Sequence, residues 1–349
     1  MNPKRIFVRL PNWVGDIMMA RPAVQAIRDR WPGSALAGMA REPHRALADR
    51  LGVFDHLLTA PTATGLSRAA AVWGAQRAVR SFQPDAAVVM APSFEAALVV
   101  QLAGVPRRIG HATDRRSALL THAVRSRPDT HRAEEYGDLA RALGATDPPR
   151  VPALALTPAD RAYAARLFRG VGWPDGCRPV FVNPAAAKTP RAWSSDRFRV
   201  LVERLADSGA GQRVVVHARP PFEFAPEWAA RPRVALAGDA TLPELAALLE
   251  RCALYVGNDS GPAHLAAAAG LPTVTVYGSS TPGRTAPRAS SRALHVAVSA
   301  AFPCAPCRER FFDDCPSPPT ADGRPPCLDA VAVDAVVRSV ERVLSPASP

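Results

Sequence analysis

The stretch Val256-Gly257-Asn258-Asp259-Ser260-Gly261-Pro262-Ala263-His264 has the pattern of a buried strand that passes through a polar turn into a helix. Pro262 suits the first turn of that helix, where a missing backbone N–H costs nothing. The N-terminus of a helix attracts anions, because its backbone donors are unpaired and the helix dipole is positive there. We therefore expect Asp259 and His264 to face a ligand cleft. The structural alternative is a capped helix with His264 satisfied inside the core.

Outward from this stretch, short apolar runs alternate with longer helical patterns, which is typical of α/β proteins with parallel sheets. The strand candidates are 5–10, 35–40, 86–90, 179–183, 213–217, 233–236, 253–256 and 273–277. The helix candidates are 16–30, 42–51, 67–81, 194–207, 242–251, 261–269 and 331–344. A Pro-rich break at 146–152 suits a linker. We predict two doubly wound, Rossmann-like domains, 1–150 and 151–349, which face a central cleft at the carboxyl ends of both sheets.

The composition is that of a globular protein, with 48% hydrophobic and 21% charged residues among 349. The net charge of +12 comes from arginines spread along the chain, since only Lys4 and Lys188 are lysines. A nucleic-acid binder would concentrate its charge beside aromatic residues, so we expect an attraction for anionic substrates or an anionic membrane face instead. No membrane span or secretory signal is evident. The expected location is the cytoplasm, with peripheral contact at the inner face of the plasma membrane.

A second signal, Leu10-Pro11-Asn12-Trp13-Val14-Gly15-Asp16, follows the first strand candidate. Gly15 would allow a tight turn, and Asp16 would start the next helix at the mouth of the cleft. The functional interpretation of Asp16 is a carboxylate general base, which must reach an acceptor hydroxyl within hydrogen-bond distance. The structural alternative is an N-cap, because aspartate commonly satisfies the free N–H groups of a first helical turn.

A third signal is Asn183-Pro184-Ala185-Ala186-Ala187-Lys188-Thr189-Pro190-Arg191-Ala192-Trp193-Ser194, which follows the first strand candidate of the second half. Its small side chains would leave backbone N–H groups approachable, and two cations, Lys188 and Arg191, lie three residues apart. That chemistry suits a diphosphate. The structural alternative is a solvated loop before a helix capped by Ser194.

Four cysteines lie in a Pro-rich segment at 302–328, namely Cys304, Cys307, Cys315 and Cys327. One Cys-x-x-Cys pair with two further thiols suits a structural zinc ion, but the second closely spaced pair is missing. Disulfides are disfavoured in a cytosolic chain, so reduced thiols are expected. The other two cysteines, Cys177 and Cys252, are isolated and are expected to serve packing.

At these segments the chain resembles glycosyltransferase family 9, the ADP-heptose:lipopolysaccharide heptosyltransferases, and in particular the heptosyltransferase II branch. The resemblance rests on Asn12 to Asp16, on 258–268 with the later Pro272 and 277–279, and on the cysteine segment. It spans nearly the whole chain, and the motifs occur in the expected order.

The resemblance implies a GT-B fold and an inverting transferase that moves a heptosyl group from ADP-heptose to a lipopolysaccharide inner-core or related glycan, without a metal in the chemistry. It implies an N-terminal domain for the acceptor and a C-terminal domain for the nucleotide sugar. Asp16 matches the family's base, and Asp259 matches a residue that contacts the donor sugar. The family's lysine before Trp-Pro falls on Arg191, while Ser194 replaces the proline, so Lys188 remains an alternative for the phosphate role.

The implied donor side comprises Lys188, Arg191, Asp259, Ser260, Gly261 and His264, and the implied acceptor side comprises Asn12, Trp13 and Gly15. Three alternatives stay open. One is a family 9 transferase with another sugar donor or acceptor. The others are a sugar-nucleotide epimerase on the same fold and a sugar-nucleotide-binding homologue without catalysis.

Overall fold

The structure is a computed structural model, and it describes residues 2–60, 67–146, 151–186, 191–208, 211–217, 228, 230–288, 293–307, 315 and 324–345. It divides into two compact units, Met1–Ala155 and Leu156–Pro349. The backbone N–H of Ala155 donates to the carbonyl of Arg50 at 2.7 Å. The segment after the Pro-rich break is therefore fastened to the first unit before the second begins.

The first unit is a six-stranded parallel sheet with helices between the strands. Its strands are β1 (Arg5–Arg9), β2 (Ala35–Arg41), β3 (His56–Ala60), β4 (Ala86–Val89), β5 (Arg107–His111) and β6 (His122–Val124). Its α-helices are α1 (Val14–Arg30), α2 (Glu42–Asp49), α3 (Ser67–Phe82), α4 (Phe94–Leu102) and α5 (Arg132–Leu143). The spatial order is β3-β2-β1-β4-β5-β6, so the direction of winding reverses between β1 and β4.

The two faces of this sheet are covered by different helices, as the buried residues of its central strands require. On one face, Phe7, Met39 and Val89 pack with residues of α3 and α4, including Val79 and Val100. Helices α1 and α5 pack against each other. Strands buried on both faces explain why β1 and β4 have apolar runs rather than alternating patterns.

The second unit repeats this architecture. Its strands are β7 (Val180–Asn183), β8 (Val214–Val216), β9 (Val234–Leu236), β10 (Leu254–Asn258), β11 (Thr273–Val276) and β12 (His295–Val298). Its helices are α6 (Pro158–Gly170), α7 (Ser195–Asp207), α8 (Leu242–Glu250), α9 (Gly261–Ala268), α10 (Pro282–Thr285), α11 (Pro326–Asp329) and α12 (Val333–Leu344). The order β12-β11-β10-β7-β8-β9 reverses between β7 and β10. Trp193, Phe198, Val256 and Val336 contribute to its core.

The predicted fold class, α/β with two doubly wound domains, is confirmed by these two sheets. All eight strand candidates become strands. Four further strands, β3, β5, β6 and β12, were not predicted, and neither were the helices α5, α6, α10 and α11. Helix α1 starts at Val14 rather than at Asp16. Among the described residues, no helix combines the length and the apolar character needed to cross a membrane.

Candidate active site

In each unit the strand order reverses between two neighbouring central strands, β1 and β4 in the first and β7 and β10 in the second. Ligands of open α/β sheets bind outside the carboxyl ends of the strands at such a point, because the connections there diverge to opposite faces and leave a crevice. The segments that follow these four strands are therefore where functional side chains are expected. They include the motifs at Asn12–Asp16 and at Asp259–Gly261.

Asp16 is the third residue of α1, since the N-terminal cap of that helix is Trp13. Trp13 has an extended backbone, and its side chain makes no capping hydrogen bond. The alternative interpretation of Asp16 as an N-cap is therefore wrong. The tight turn expected at Gly15 is also not observed, because Gly15 lies inside the helix and its φ is not positive.

Two donors from α5 contact the same oxygen of Asp16. The hydroxyl of Tyr136 donates to Oδ1 at 2.9 Å, and Nε of Arg132 donates to Oδ1 at 3.2 Å. The side chain of Asp16 is 18% exposed. Within the described part of the chain no hydrogen bond reaches Oδ2. The two donors thus fix the carboxylate, and they leave its second oxygen available to accept a proton.

Arg132 is held in turn by the buried carboxylate of Glu135, whose Oε2 lies 3.4 Å from Nη1 of Arg132 and whose Oε1 accepts from the Ser126 hydroxyl at 2.6 Å. Burial by itself lowers the pKa of Arg132, but the neighbouring Tyr136, Asp16 and Glu135 outweigh it and raise that pKa. Burial, followed by the charge of Asp16, raises the pKa of Tyr136. Both groups therefore remain protonated donors at neutral pH.

Neither Arg132 nor Tyr136 was among the residues predicted from the sequence. A signal for α5 exists, because Tyr136, Leu139, Ala140 and Leu143 are buried at helical spacing. That periodicity predicts the helix but not its partner. The contacts to Asp16 span 116 and 120 residues of sequence, and only the tertiary structure brings them together.

Of the other predicted acceptor-side residues, Asn12 accepts a hydrogen bond from Nη2 of Arg9 at 2.7 Å. The Trp13 side chain is 53% exposed, although it follows a buried strand. An exposed indole beside a polar loop suits contact with a sugar ring, since aromatic faces pack on apolar surfaces of a ligand while their edges stay wet. The structure therefore brings Asn12, Trp13 and Asp16 into one loop and first helical turn.

In the second unit, two fully buried amides fasten the ends of neighbouring strands. Asn258 accepts from the backbone N–H of Trp193 at 2.9 Å and donates to the carbonyl of Pro184 at 2.8 Å. Asn183 donates to the hydroxyl of Ser260 at 3.2 Å. The amide at the end of β10 thus holds both sides of the loop that the sequence proposes for the diphosphate, and the amide at the end of β7 contacts the first residue before α9.

Asp259 is buried directly after β10, and its carboxylate contacts the side chains of Thr285 and Arg191. The Thr285 hydroxyl donates to its Oδ2 at 3.2 Å, and Nη1 of Arg191 lies 3.8 Å from the same oxygen. Because the Asp259 side chain is 4% exposed and that of Arg191 is 29% exposed, the carboxylate fixes an arginine whose other face reaches solvent. The expected proximity of Arg191 to the Asp259 segment is thus observed.

Ser260 is the N-cap of α9, and its side chain makes no capping hydrogen bond. Gly261 is the first helical residue, so the first-turn N–H groups keep the donor character that suits an anion. His264 is buried on the same helix, while Lys188 lies outside the described residues. Close packing explains the glycine at position 257, since a Cβ there would lie 2.7 Å from the carbonyl oxygen of Asn183.

The four cysteines of the segment 302–328 are free thiols. Cys327 is buried, and burial raises the pKa of its thiol, with a smaller contribution from Cys304, Cys307 and Cys315. Among the described residues, no group of three or more His, Cys, Asp or Glu side chains has the arrangement to hold a metal ion. The structural zinc site at these cysteines stays a prediction.

Comparison with known proteins assigns the sequence to one family. Residues 72–312 match the sequence profile of glycosyltransferase family 9 (heptosyltransferase). This chain belongs to glycosyltransferase family 9. The family 9 enzyme is 28% identical over 301 residues to lipopolysaccharide heptosyltransferase 2 of Escherichia coli K12, an alignment that covers 81% of this chain and 85% of the relative.

Other comparisons agree. The family 9 enzyme is 26% identical over 291 residues to lipooligosaccharide heptosyltransferase 2 of Haemophilus influenzae, with 79% of this chain and 84% of the relative covered. Among solved structures, E. coli ADP-heptose lps heptosyltransferase II superposes with a TM-score of 0.77 at 22% identity, covering 97% of this chain and 98% of the other. At that identity the superposition establishes the fold, which is the predicted GT-B class.

Proposed function

We propose that this glycosyltransferase moves a heptosyl group from ADP-heptose onto an inner-core lipopolysaccharide or related glycan, with inversion and with Asp16 as general base. The heptose donor and the lipopolysaccharide acceptor are supported by the names of the relatives that match over most of the chain. The first unit would take the acceptor, and the second would take the nucleotide sugar. The observation that carries the catalytic assignment is the Asp16 carboxylate, fastened through Oδ1 by Tyr136 and Arg132.

The proposed step is a single displacement at the anomeric carbon. The acceptor hydroxyl oxygen bonds to that carbon while the bond to the diphosphate breaks, and the hydroxyl proton passes to Oδ2 of Asp16. The electron pair of the broken bond leaves with ADP. The fixed orientation of the Asp16 carboxylate matters for this step, because a general base contributes only when its oxygen meets the proton as the new bond forms.

The departing diphosphate gains negative charge, and the second unit offers groups that would stabilise it. We assign this role to the N-terminus of α9 at Ser260 and Gly261, to Arg191 and to Lys188. Arg191 is oriented by Asp259, and a helix N-terminus with an unused cap favours anions. A guanidinium, an ammonium and a helix dipole together supply the charge for a reaction that we propose needs no metal.

Asp16→Asn tests the base directly, because the substitution keeps an oxygen for Tyr136 and Arg132 to contact. We expect turnover to fall by about 10²–10⁴-fold, measured by mass spectrometry of products from ADP-heptose and an acceptor glycan. ADP affinity should stay unchanged, since the residue acts on a proton of the acceptor. Asp29→Asn is the matched control, being an exposed aspartate on the same helix.

If Asp16→Asn kept more than about a tenth of wild-type turnover, the base assignment would be wrong. Transfer of another sugar from an ADP-sugar, in place of heptose, would point to the alternative family 9 donor. Isomerisation of the donor without transfer would support the epimerase alternative. Each outcome appears as a different product mass or as a shifted retention time in the same experiment.

We further propose that α3 makes peripheral contact with an anionic membrane that carries the acceptor. Residues 1–155 contain 21 basic and 13 acidic residues, and α3 has three arginines and no acidic residue. Trp73, near its centre, is 59% exposed, and Arg77 and Arg80 are exposed on the same helix. An indole flanked by arginines suits the interface, because the ring enters the headgroup layer while cations contact lipid phosphates.

Sedimentation with phosphatidylglycerol vesicles tests this contact. Trp73→Ala and Arg77→Ala should each reduce the bound fraction, whereas Leu294→Ala, at another exposed apolar residue, should not. Neutral phosphatidylcholine vesicles should bind the wild-type protein more weakly. Equal binding by all variants would refute the role of α3 and would leave the transfer reaction itself untouched.

A further inference from the structure

Three basic side chains gather at the carboxyl ends of β1 and β2. Arg9 is the last residue of β1 and pairs in register with Met39 of β2. Arg41, the last residue of β2, is two residues further on, so Arg9 and Arg41 point to the same face of the sheet. His44 follows in the first turn of α2. The edge where they meet is the one from which the Asp16 loop departs.

Arg9 is almost completely buried, at 9% exposure, and among the described residues the hydrogen-bond partners of its guanidinium are all neutral. They are Oδ1 of Asn12 at 2.7 Å and the backbone carbonyls of Leu10 and Met39. A buried guanidinium without a carboxylate is unfavourable, because desolvation of the charge is not repaid by a counter-charge. Burial accordingly lowers the pKa of Arg9 to about 10.

The two neighbouring basic groups, Arg41 and His44, cannot neutralise Arg9, because their charge has the same sign. In the described part of the chain, the Arg41 side chain has no hydrogen bond or ion pair, and Nδ1 of His44 is buried without a hydrogen-bond partner. Burial, and then the charges of Arg41 and Arg9, lower the pKa of His44. Among the described residues, the one carboxylate whose charge acts favourably on Arg9 is Glu95, and Glu95 is already paired with Arg68 at 2.7 Å.

An anion at this position would resolve each of these deficits. It would pair with the fork of donors on Arg41, accept from His44 in its protonated form, and compensate the buried charge of Arg9. The link from Arg9 to Asn12 places the cluster next to the loop that leads to Asp16. A ligand that presents a hydroxyl to Asp16 and also carries an acidic group could therefore engage both.

We propose that Arg9, Arg41 and His44 form a binding site for an anionic group, a carboxylate or a phosphate, on the acceptor glycan. The acceptor part of this inference rests on the proposed transfer reaction. The anion-binding part does not, since it follows from side chains of the first unit alone. The site selects acceptors that carry an acid near the reacting hydroxyl and disfavours neutral glycans.

The first experiment measures binding without catalysis. Acetate and methyl phosphate are titrated separately into the full-length wild-type protein and followed by NMR of the histidine side chains. We expect saturable binding of at least one of them and a perturbed His44 resonance, and the tighter of the two identifies carboxylate or phosphate as the group. Arg41→Ala should weaken this binding about 10–100-fold. Arg45→Ala, at an exposed arginine on the same helix, should leave it unchanged.

The second experiment measures transfer to matched acceptors. Arg41→Ala should raise the KM for an acidic acceptor about 10–100-fold, with little change in kcat or in the KM for the donor. With the same acceptor after esterification or dephosphorylation, wild type and Arg41→Ala should become equal. Equal losses for Arg41→Ala and Arg45→Ala, or no saturable binding of either anion, would overturn the proposal. Failure to transfer any sugar, with anion binding intact, would refute the proposed function and leave the anion site standing.

Discussion

Replacing Asn258 by alanine should weaken both the second unit and the proposed donor site. The amide is fully buried at the end of β10. It accepts a hydrogen bond from the N–H of Trp193 at 2.9 Å and donates one to the carbonyl of Pro184 at 2.8 Å. Its removal leaves two buried backbone groups without partners. At about 1–3 kcal/mol for each such group, the unfolding free energy should fall by about 2–6 kcal/mol. That is a large share of the about 5–15 kcal/mol typical of a domain.

The same substitution should reduce nucleotide affinity. Asn258 ties together the two ends of the loop that carries Lys188 and Arg191. Without it, binding must reorder at least one loop residue, at a cost of about 1–2 kcal/mol, so the Kd for ADP should rise about 5–30-fold. Urea denaturation followed by tryptophan fluorescence gives the first quantity, and calorimetric titration with ADP gives the second.

Asn2→Ala is the matched control, because Asn2 is exposed and its loss should change stability by less than about 0.5 kcal/mol. Asn258→Asp should not restore the wild-type values, since a carboxylate oxygen would face the carbonyl of Pro184 where the amide donates. An Asn258→Ala protein with wild-type stability and wild-type ADP affinity would refute the reasoning. It would mean that water, or a shifted loop, satisfies both backbone groups.

Two further predictions concern charge. Arg191→Ala should lower kcat/KM by about 10²–10³-fold, mostly in kcat, and by more than Lys188→Ala does. The reason is that the Arg191 guanidinium, oriented by Asp259, contacts negative charge that grows in the transition state. Steady-state kinetics with saturating acceptor checks this, and a larger loss for Lys188→Ala would reverse the assignment. Burial raises the pKa of Asp55, but hydrogen bonds from Arg28 and from the Leu36 N–H outweigh it and lower that pKa below 3.8. The resulting stabilisation is present above pH 3.8 and is lost as the pH falls through the lowered pKa. The unfolding free energies of wild type and Asp55→Asn, measured by urea denaturation, should therefore converge in acid. A difference between them that does not change with pH would contradict this.

The central strands were predictable because their residues are buried on both faces and form continuous apolar runs, as in β1 and β4. The missed strands lack that pattern. In β6, His122 and Ala123 are exposed at the sheet edge, and β12 has one buried residue among four. Edge strands form because their backbones pair with a neighbouring strand, and a single sequence does not show which segments pair.

The candidate site likewise combines features that the local sequence predicts with contacts that only the tertiary structure shows. The Asp259–Gly261 turn was predictable, because strand, polar turn and helix start are adjacent in sequence. The position of Asp16 in its helix was not, since the helix was predicted to begin at Asp16, whereas it begins at Val14 with Trp13 as its N-cap. Its partners, Arg132 and Tyr136, lie more than a hundred residues away. The cluster of Arg9, Arg41 and His44 depends on strand register, which local patterns leave undetermined.

Each sheet is complete within its own unit, since all strands from β1 to β6 precede Ala155 and all strands from β7 to β12 follow Leu156. A crossover between these two residues therefore cuts no strand pair. The described hydrogen bonds of Asn183, Asn258 and Asp259 also end on residues of the second unit. A chimera joined at this junction should therefore keep both sheets intact, so that the unit proposed to bind the acceptor can be exchanged while the unit proposed to bind the nucleotide sugar stays the same.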